Sequence, residues 1–184
     1  TTGSNASAEP IVTYTDGAMG SGDLSLGDLA AFEILRIEVT AVDGNANTVT
    51  GRAGNDTIDG LGGADTLYGG DGDDTLIGGD GADDMFGGDG MDTIYVSDHG
   101  DEAFGGIGDD TIIIDVSETE IVSVTGGDGA DTFEFLNNQS ETSHTTYLED
   151  FSWSDDTLIL NGTEVDWPSS LPNGVYWVQT INLD

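Results

Sequence analysis

From Gly51 to Ile113 the chain repeats itself every nine residues, in seven consecutive blocks: GRAGNDTID, GLGGADTLY, GGDGDDTLI, GGDGADDMF, GGDGMDTIY, VSDHGDEAF and GGIGDDTII. The sixth position is always aspartate: Asp56, Asp65, Asp74, Asp83, Asp92, Asp101 and Asp110. The eighth is a large apolar residue except in the sixth block, which has Ala103 there and has lost its leading glycines. A further block, GGDGADTFE, starts at Gly126 and adds Asp131 and Phe133. Upstream, VDGNANTVT from Val42 keeps the register as a degenerate leading repeat, with Asn47 and Val49 at the two key positions. A unit this short cannot bury its apolar face alone, so its copies must stack into a solenoid.

Local chemistry predicts the shape of each unit. Glycine allows positive φ without steric cost, so the six Gly/Asp-rich residues form a tight turn. The three that follow, such as Thr75-Leu76-Ile77, favour a short strand whose middle side chain points inward. Two blocks then make one coil with a turn on each side. Asp56, Asp74, Asp92 and Asp110 fall in one column and Asp65, Asp83 and Asp101 in the other, with Asp131 extending the first. Stacked parallel coils lie about 4.8 Å apart, close to twice a calcium–oxygen distance of about 2.3–2.6 Å. An ion between two stacked turns can therefore bind oxygens from both. The intervals predict about five calcium ions, and six or more with Asp131.

The composition makes such ions necessary. The chain has 184 residues, of which 37 are Asp or Glu and only Arg36 and Arg52 are basic, for a net charge of −35; 29 residues are glycine. Self-repulsion and glycine entropy both oppose folding, and the bare composition is that of a disordered acidic segment. Disorder would not keep apolar residues in phase with aspartates. Two carboxylates one coil apart repel by roughly 1 kcal/mol in water, and a bound cation converts that repulsion into folding energy. The charge argues against nucleic acid and anionic membrane surfaces as partners. No apolar run reaches transmembrane length, no cysteine is present, and no stretch fits an EF-hand loop.

The block matches the nonapeptide G-G-x-G-x-D-x-U-x, and residues 51–134 resemble the calcium-binding β-roll of RTX, or haemolysin-type, proteins. The resemblance implies an all-β fold: a right-handed parallel β-roll with a C-terminal β cap. It also implies a secreted or cell-surface protein that uses type I secretion machinery. Turn carbonyls would complete each calcium shell, from Gly70, Gly72, Gly79, Gly81, Gly88, Gly90, Gly106 and Gly108. Only a carbonyl is needed at the second position, so Arg52 and Leu61 are tolerable there.

Around the array, residues 1–10 read as a tail or linker, 11–50 as coils leading into the roll, 51–134 as the roll and 135–184 as the cap. Phe32–Thr40 suits a strand or a short helix, and Gly17–Gly27 a loop. Asp16, Asp23 and Asp28 read as solvated turn carboxylates rather than ligands. Residues 114–125 replace a nine-residue block with twelve, an enlarged coil whose strands should keep stacking because Gly126 restores the motif. Aromatic residues gather after Phe133, including Phe135, Tyr147, Phe151, Trp153, Trp167, Tyr176 and Trp177. They are read as core closing the last coil rather than as a carbohydrate platform. Leu148–Phe151 with Asp155–Leu160 resembles the segment that follows RTX arrays, where Asp150 and Asp156 would hold one more ion.

Catalytic signatures are missing. There is no HExxH and no G-x-S-x-G; His99 reads as a solvated turn residue, and His144 lies among Ser and Thr that form no nucleophile arrangement with it. The chain is read as a non-enzymatic calcium-binding module. The alternatives are an adhesive surface-layer or biofilm protein, and a regulatory module of a polysaccharide-modifying enzyme with a glycan or a parent catalytic domain as partner.

Overall fold

The computed structural model describes residues 11–15, 36–40, 45–115, 121–136, 145–165 and 176–179. They form strands and turns, with no helix among the described residues. The strands are β1 (Ile11–Thr15), β2 (Arg36–Thr40), β3 (Thr48–Ala53), β4 (Thr57–Asp59), β5 (Thr66–Asp71), β6 (Thr75–Ile77), β7 (Asp84–Asp89) and β8 (Thr93–Val96). Then come β9 (Glu102–Ile107), β10 (Thr111–Ile114), β11 (Ile121–Asp128), β12 (Thr132–Phe135), β13 (Thr145–Leu148), β14 (Thr157–Leu160), β15 (Thr163–Glu164) and β16 (Tyr176–Gln179).

From β2 to β14 the strands alternate between two sheets, as two turns per coil require. One sheet runs β1-β2-β4-β6-β8-β10-β12-β14-β15 and the other β16-β13-β11-β9-β7-β5-β3. All pairings are parallel except the two that end the stacks, β14 with β15 and β13 with β16. The chain is thus a parallel β-solenoid of the roll type. Registers match the nine-residue phase: Leu76 pairs with Ile58 and Ile94, and Leu67 with Val49 and Met85. These inward residues form one buried core that continues through Ile112, Val124, Phe133, Leu148 and Leu158.

Three features depart from a uniform coil. Strands β3, β5, β7 and β9 run six residues, because the leading glycines also join the ladder, Gly70 pairing with Gly88 and Gly88 with Gly106. That close approach needs glycine: a Cβ on Gly88, where φ is 121°, would overlap the Gly70 carbonyl. The insertion at 114–125 enlarges its coil while the strands keep stacking, Val124 on Ala103 and Phe133 on Ile112. Phe32–Thr40, which the sequence left between strand and helix, supplies strand β2. The Gly17–Gly27 stretch, Asp16, Asp23, Asp28, His144 and Trp167 lie outside the described residues.

Candidate metal centre

Each sixth-position aspartate sits where a turn enters a strand, and stacking closes it in: all eight from Asp56 to Asp131 are 2% exposed or less. One carboxylate oxygen of each from Asp65 to Asp131 is used in a ladder between coils. In the first column the Asp56 amide donates to Asp74 Oδ1 at 2.7 Å, Asp74 to Asp92 at 2.7 Å, Asp92 to Asp110 at 2.8 Å and Asp110 to Asp131 at 2.9 Å. The Asp131 amide then donates to Asp156 Oδ1 at 3.0 Å. In the second column Asn47 donates to Asp65 at 2.7 Å, Asp65 to Asp83 at 2.8 Å and Asp83 to Asp101 at 3.0 Å. The two columns predicted from the spacing exist, and the first runs on to Asp156.

The second oxygen is the chemically telling one. Oδ2 of Asp74, Asp83, Asp92 and Asp110 is buried without a hydrogen-bond partner. A buried, unpaired carboxylate oxygen is costly, and burial raises the pKa of Asp74 and Asp110 to about 7 and of Asp131 to about 6. Neighbouring aspartates push in the same direction: Asp92 and Asp56 act on Asp74. Each Oδ2 faces the bare Cα of the first glycine in its own block. A Cβ on Gly69 would overlap Asp74 Oδ2 and stand 2.5 Å from the Gly87 carbonyl oxygen of the next coil. A Cβ on Gly60 would stand 2.7 Å from Asp65 Oδ2 and 2.6 Å from the Gly78 carbonyl oxygen. Carboxylate and carbonyl oxygens thus crowd together against a Cα that only glycine leaves bare. An all-oxygen donor set suits a hard cation. Among the described residues no three acidic or histidine side chains gather on one point, so backbone carbonyls must complete any shell.

The model of the RTX calcium-binding nonapeptide repeat (4 copies) matches residues 43–76, 59–94 and 77–112. Residues 43–112 carry RTX nonapeptide repeats. RTX nonapeptide repeats bind calcium, and the buried aspartate oxygens are the donor type that ion takes. No curated protein and no solved structure matches the chain.

Within the RTX array, carbonyl oxygens of the second- and fourth-position glycines point along the stack. Those of Gly70 and Gly72 lie against Gly88 and Gly90 of the next coil. The first-position carbonyls of Gly69, Gly78, Gly87, Gly105 and Gly126, which reasoning from the sequence did not name, lie with Oδ2 around the bare Cα of the first glycine one coil earlier. A signal was present: second positions tolerate Arg52 and Leu61, whereas the first is glycine in every regular block. Asp150 and Asp156 serve different amides. Asp150 accepts from Gly126 and Gly127 at 2.9 and 2.8 Å, and Asp156 accepts from Asp131 and Ser152. His99 Nδ1 accepts the Ile121 amide at 3.1 Å beside a cleft of about 300 Å³ lined by Gly100, Glu102, Val122 and Ser123. Phe151 is buried and Trp153 packs against the core cluster, edge-on to Phe151 at 4.5 Å, as expected for a cap.

Proposed function

We propose that this chain is a calcium-dependent folding module of a secreted or cell-surface protein, unfolded at low calcium and rolled up where calcium is abundant. The observation that carries this reading is the set of buried, unpartnered aspartate oxygens in a chain of net charge −35. The ligands we assign are Oδ2 of the in-register aspartates and the turn carbonyls facing them across each interval. Calcium would remove the penalty of the buried charges and link consecutive coils. Extracellular calcium modules bind with dissociation constants of about 10⁻⁴–10⁻³ M, far above resting cytosolic levels, so export of an unfolded chain by a type I system is compatible with this switch. No helix among the described residues is long and apolar enough to cross a membrane. Residues 135–184 serve in this reading as the cap, and binding rather than catalysis is the function.

Far-UV circular dichroism during a calcium titration tests the proposal. A disordered spectrum in chelator should turn into a β spectrum at sub-millimolar to millimolar calcium. Magnesium should not replace it, because it demands stricter octahedral geometry and sheds water reluctantly. A full β spectrum in excess chelator would defeat the switch.

A further inference from the structure

The two edges of the roll carry different chemistry along its height. On the first edge, a Cβ on Gly51, Gly69, Gly87 or Gly105 would meet both the aspartate of its own block and the first carbonyl of the next coil. On the second edge Gly60 meets both, and at Gly78 the three nearest atoms all belong to Asp83. The first position of the later coils on that edge is filled by Val96, Ile114 and Phe135, all buried and stacked in register. At Gly126 the nearest atoms all belong to Asp131, and the next first position is Asp150.

Where glycine is lost, the aspartate is satisfied by its own turn. Asp101 Oδ2 accepts the Ser97 and Asp98 amides at 3.1 and 3.0 Å, while Oδ1 takes the Asp83 amide. Asp156 Oδ2 accepts the Ser152 amide at 2.7 Å, while Oδ1 takes the Asp131 amide. Both differ from Asp74, Asp83, Asp92 and Asp110, whose Oδ2 atoms are unpartnered.

We propose that Asp101 and Asp156 are metal-independent caps that end the two columns. The inference rests on the calcium reading above and withdraws Asp101 and Asp156 from its ligand set.

Native mass spectrometry in saturating calcium tests it on the full chain, with circular dichroism confirming that each variant is folded. Asp65→Asn and Asp74→Asn should each lose at least one ion relative to the parent. Asp101→Asn and Asp156→Asn should keep the parent's number. Asp101→Ser should keep it too, and it decides the matter if Asp101→Asn does not fold, because a serine hydroxyl can cap amides but cannot replace a carboxylate ligand. A folded Asp101 or Asp156 variant with one ion fewer overturns the assignment of caps, as does an undiminished count in Asp65→Asn and Asp74→Asn. A parent that binds no calcium overturns the calcium reading itself.

Discussion

Aspartate at the sixth position does two separate things with its two oxygens. Oδ1 ties one coil to the preceding one through a backbone amide, and Oδ2 packs against the bare Cα of a glycine. A side chain at that glycine should therefore damage binding more than a change at the surface. A Cβ on Gly87 would overlap Asp92 Oδ2 and stand 2.5 Å from the Gly105 carbonyl oxygen. Gly87→Ala is expected to raise the calcium midpoint about tenfold or more, on the scale of overpacking costs of about 1–3 kcal/mol. Met91→Ala, in the same block but 59% exposed, should leave the midpoint within about twofold; isothermal titration of both variants checks this. The raised pKa values give a second prediction. Folded Asp74 and Asp110 hold protons up to about pH 7, whereas an unfolded aspartate releases its proton near 3.8. The metal-free roll therefore binds more protons than the unfolded chain between those values. This contribution is fully present below about pH 4 and is lost as pH rises through 6–7. In chelator, β content should increase from pH 8 to pH 5, while the calcium midpoint should move to higher concentration because protons compete for the same oxygens. Flat β content across that range would contradict both. At this scale the sequence was legible where the motif is regular. It could not show which oxygens face each other, since that depends on turn geometry set by coils 18 residues apart.

Strands were easier to anticipate than their lengths. A period of nine with apolar eighth positions fixes two sheets and the facing of Ile58, Leu76 and Ile94. It does not reveal that Gly70 and Gly88 join the ladder, because glycine reads as turn in isolation. The outer surface of the β5-β7-β9 face holds a second ladder that the motif does not encode. Tyr68, Phe86 and Phe104 stack with centroids 5.0 Å apart and planes 12° and 4° from parallel. Such a pair adds about 0.5–1.5 kcal/mol beyond its area. Phe86, which has a partner on each side, should cost about 1–3 kcal/mol when changed to Ala, read by urea denaturation in calcium. Tyr95, outside this stack and in register with Ile77 and Ile113, should cost less under the same change. Equal losses would mean that the stack contributes only its area.

For the molecule as a whole, the ends matter as much as the repeats. Phe133 and Phe135 are 0% and 2% exposed, beneath the coil that contains β13 and β14. Ending the chain after Leu136 removes that coil, opens both rings to water and strips the Asp131 amide of its acceptor. Circular dichroism should then show little or no calcium-induced folding, whereas deleting Thr1–Pro10 should leave the titration unchanged. A normal response in the shortened chain would show that the repeats need no apolar closure. The sequence indicated that closure through its late aromatics. It marked Asp156 only through the likeness of its segment to those that follow RTX arrays, not as a member of the first column, because the last turn has no leading glycine and one extra residue.

The ladder of amides also has a direction in time. Every sixth-position amide of the array, from Asp56 to Asp131, that donates to a carboxylate finds it 18 to 25 residues further along the chain. A turn is therefore completed by its successor. A polypeptide emerging through a pore with its beginning first would hold each loop open until the following one arrived. One emerging tail first would present the Asp150–Asp156 turn at once, held by its own Ser152 amide. Each later arrival would then meet an acceptor already waiting.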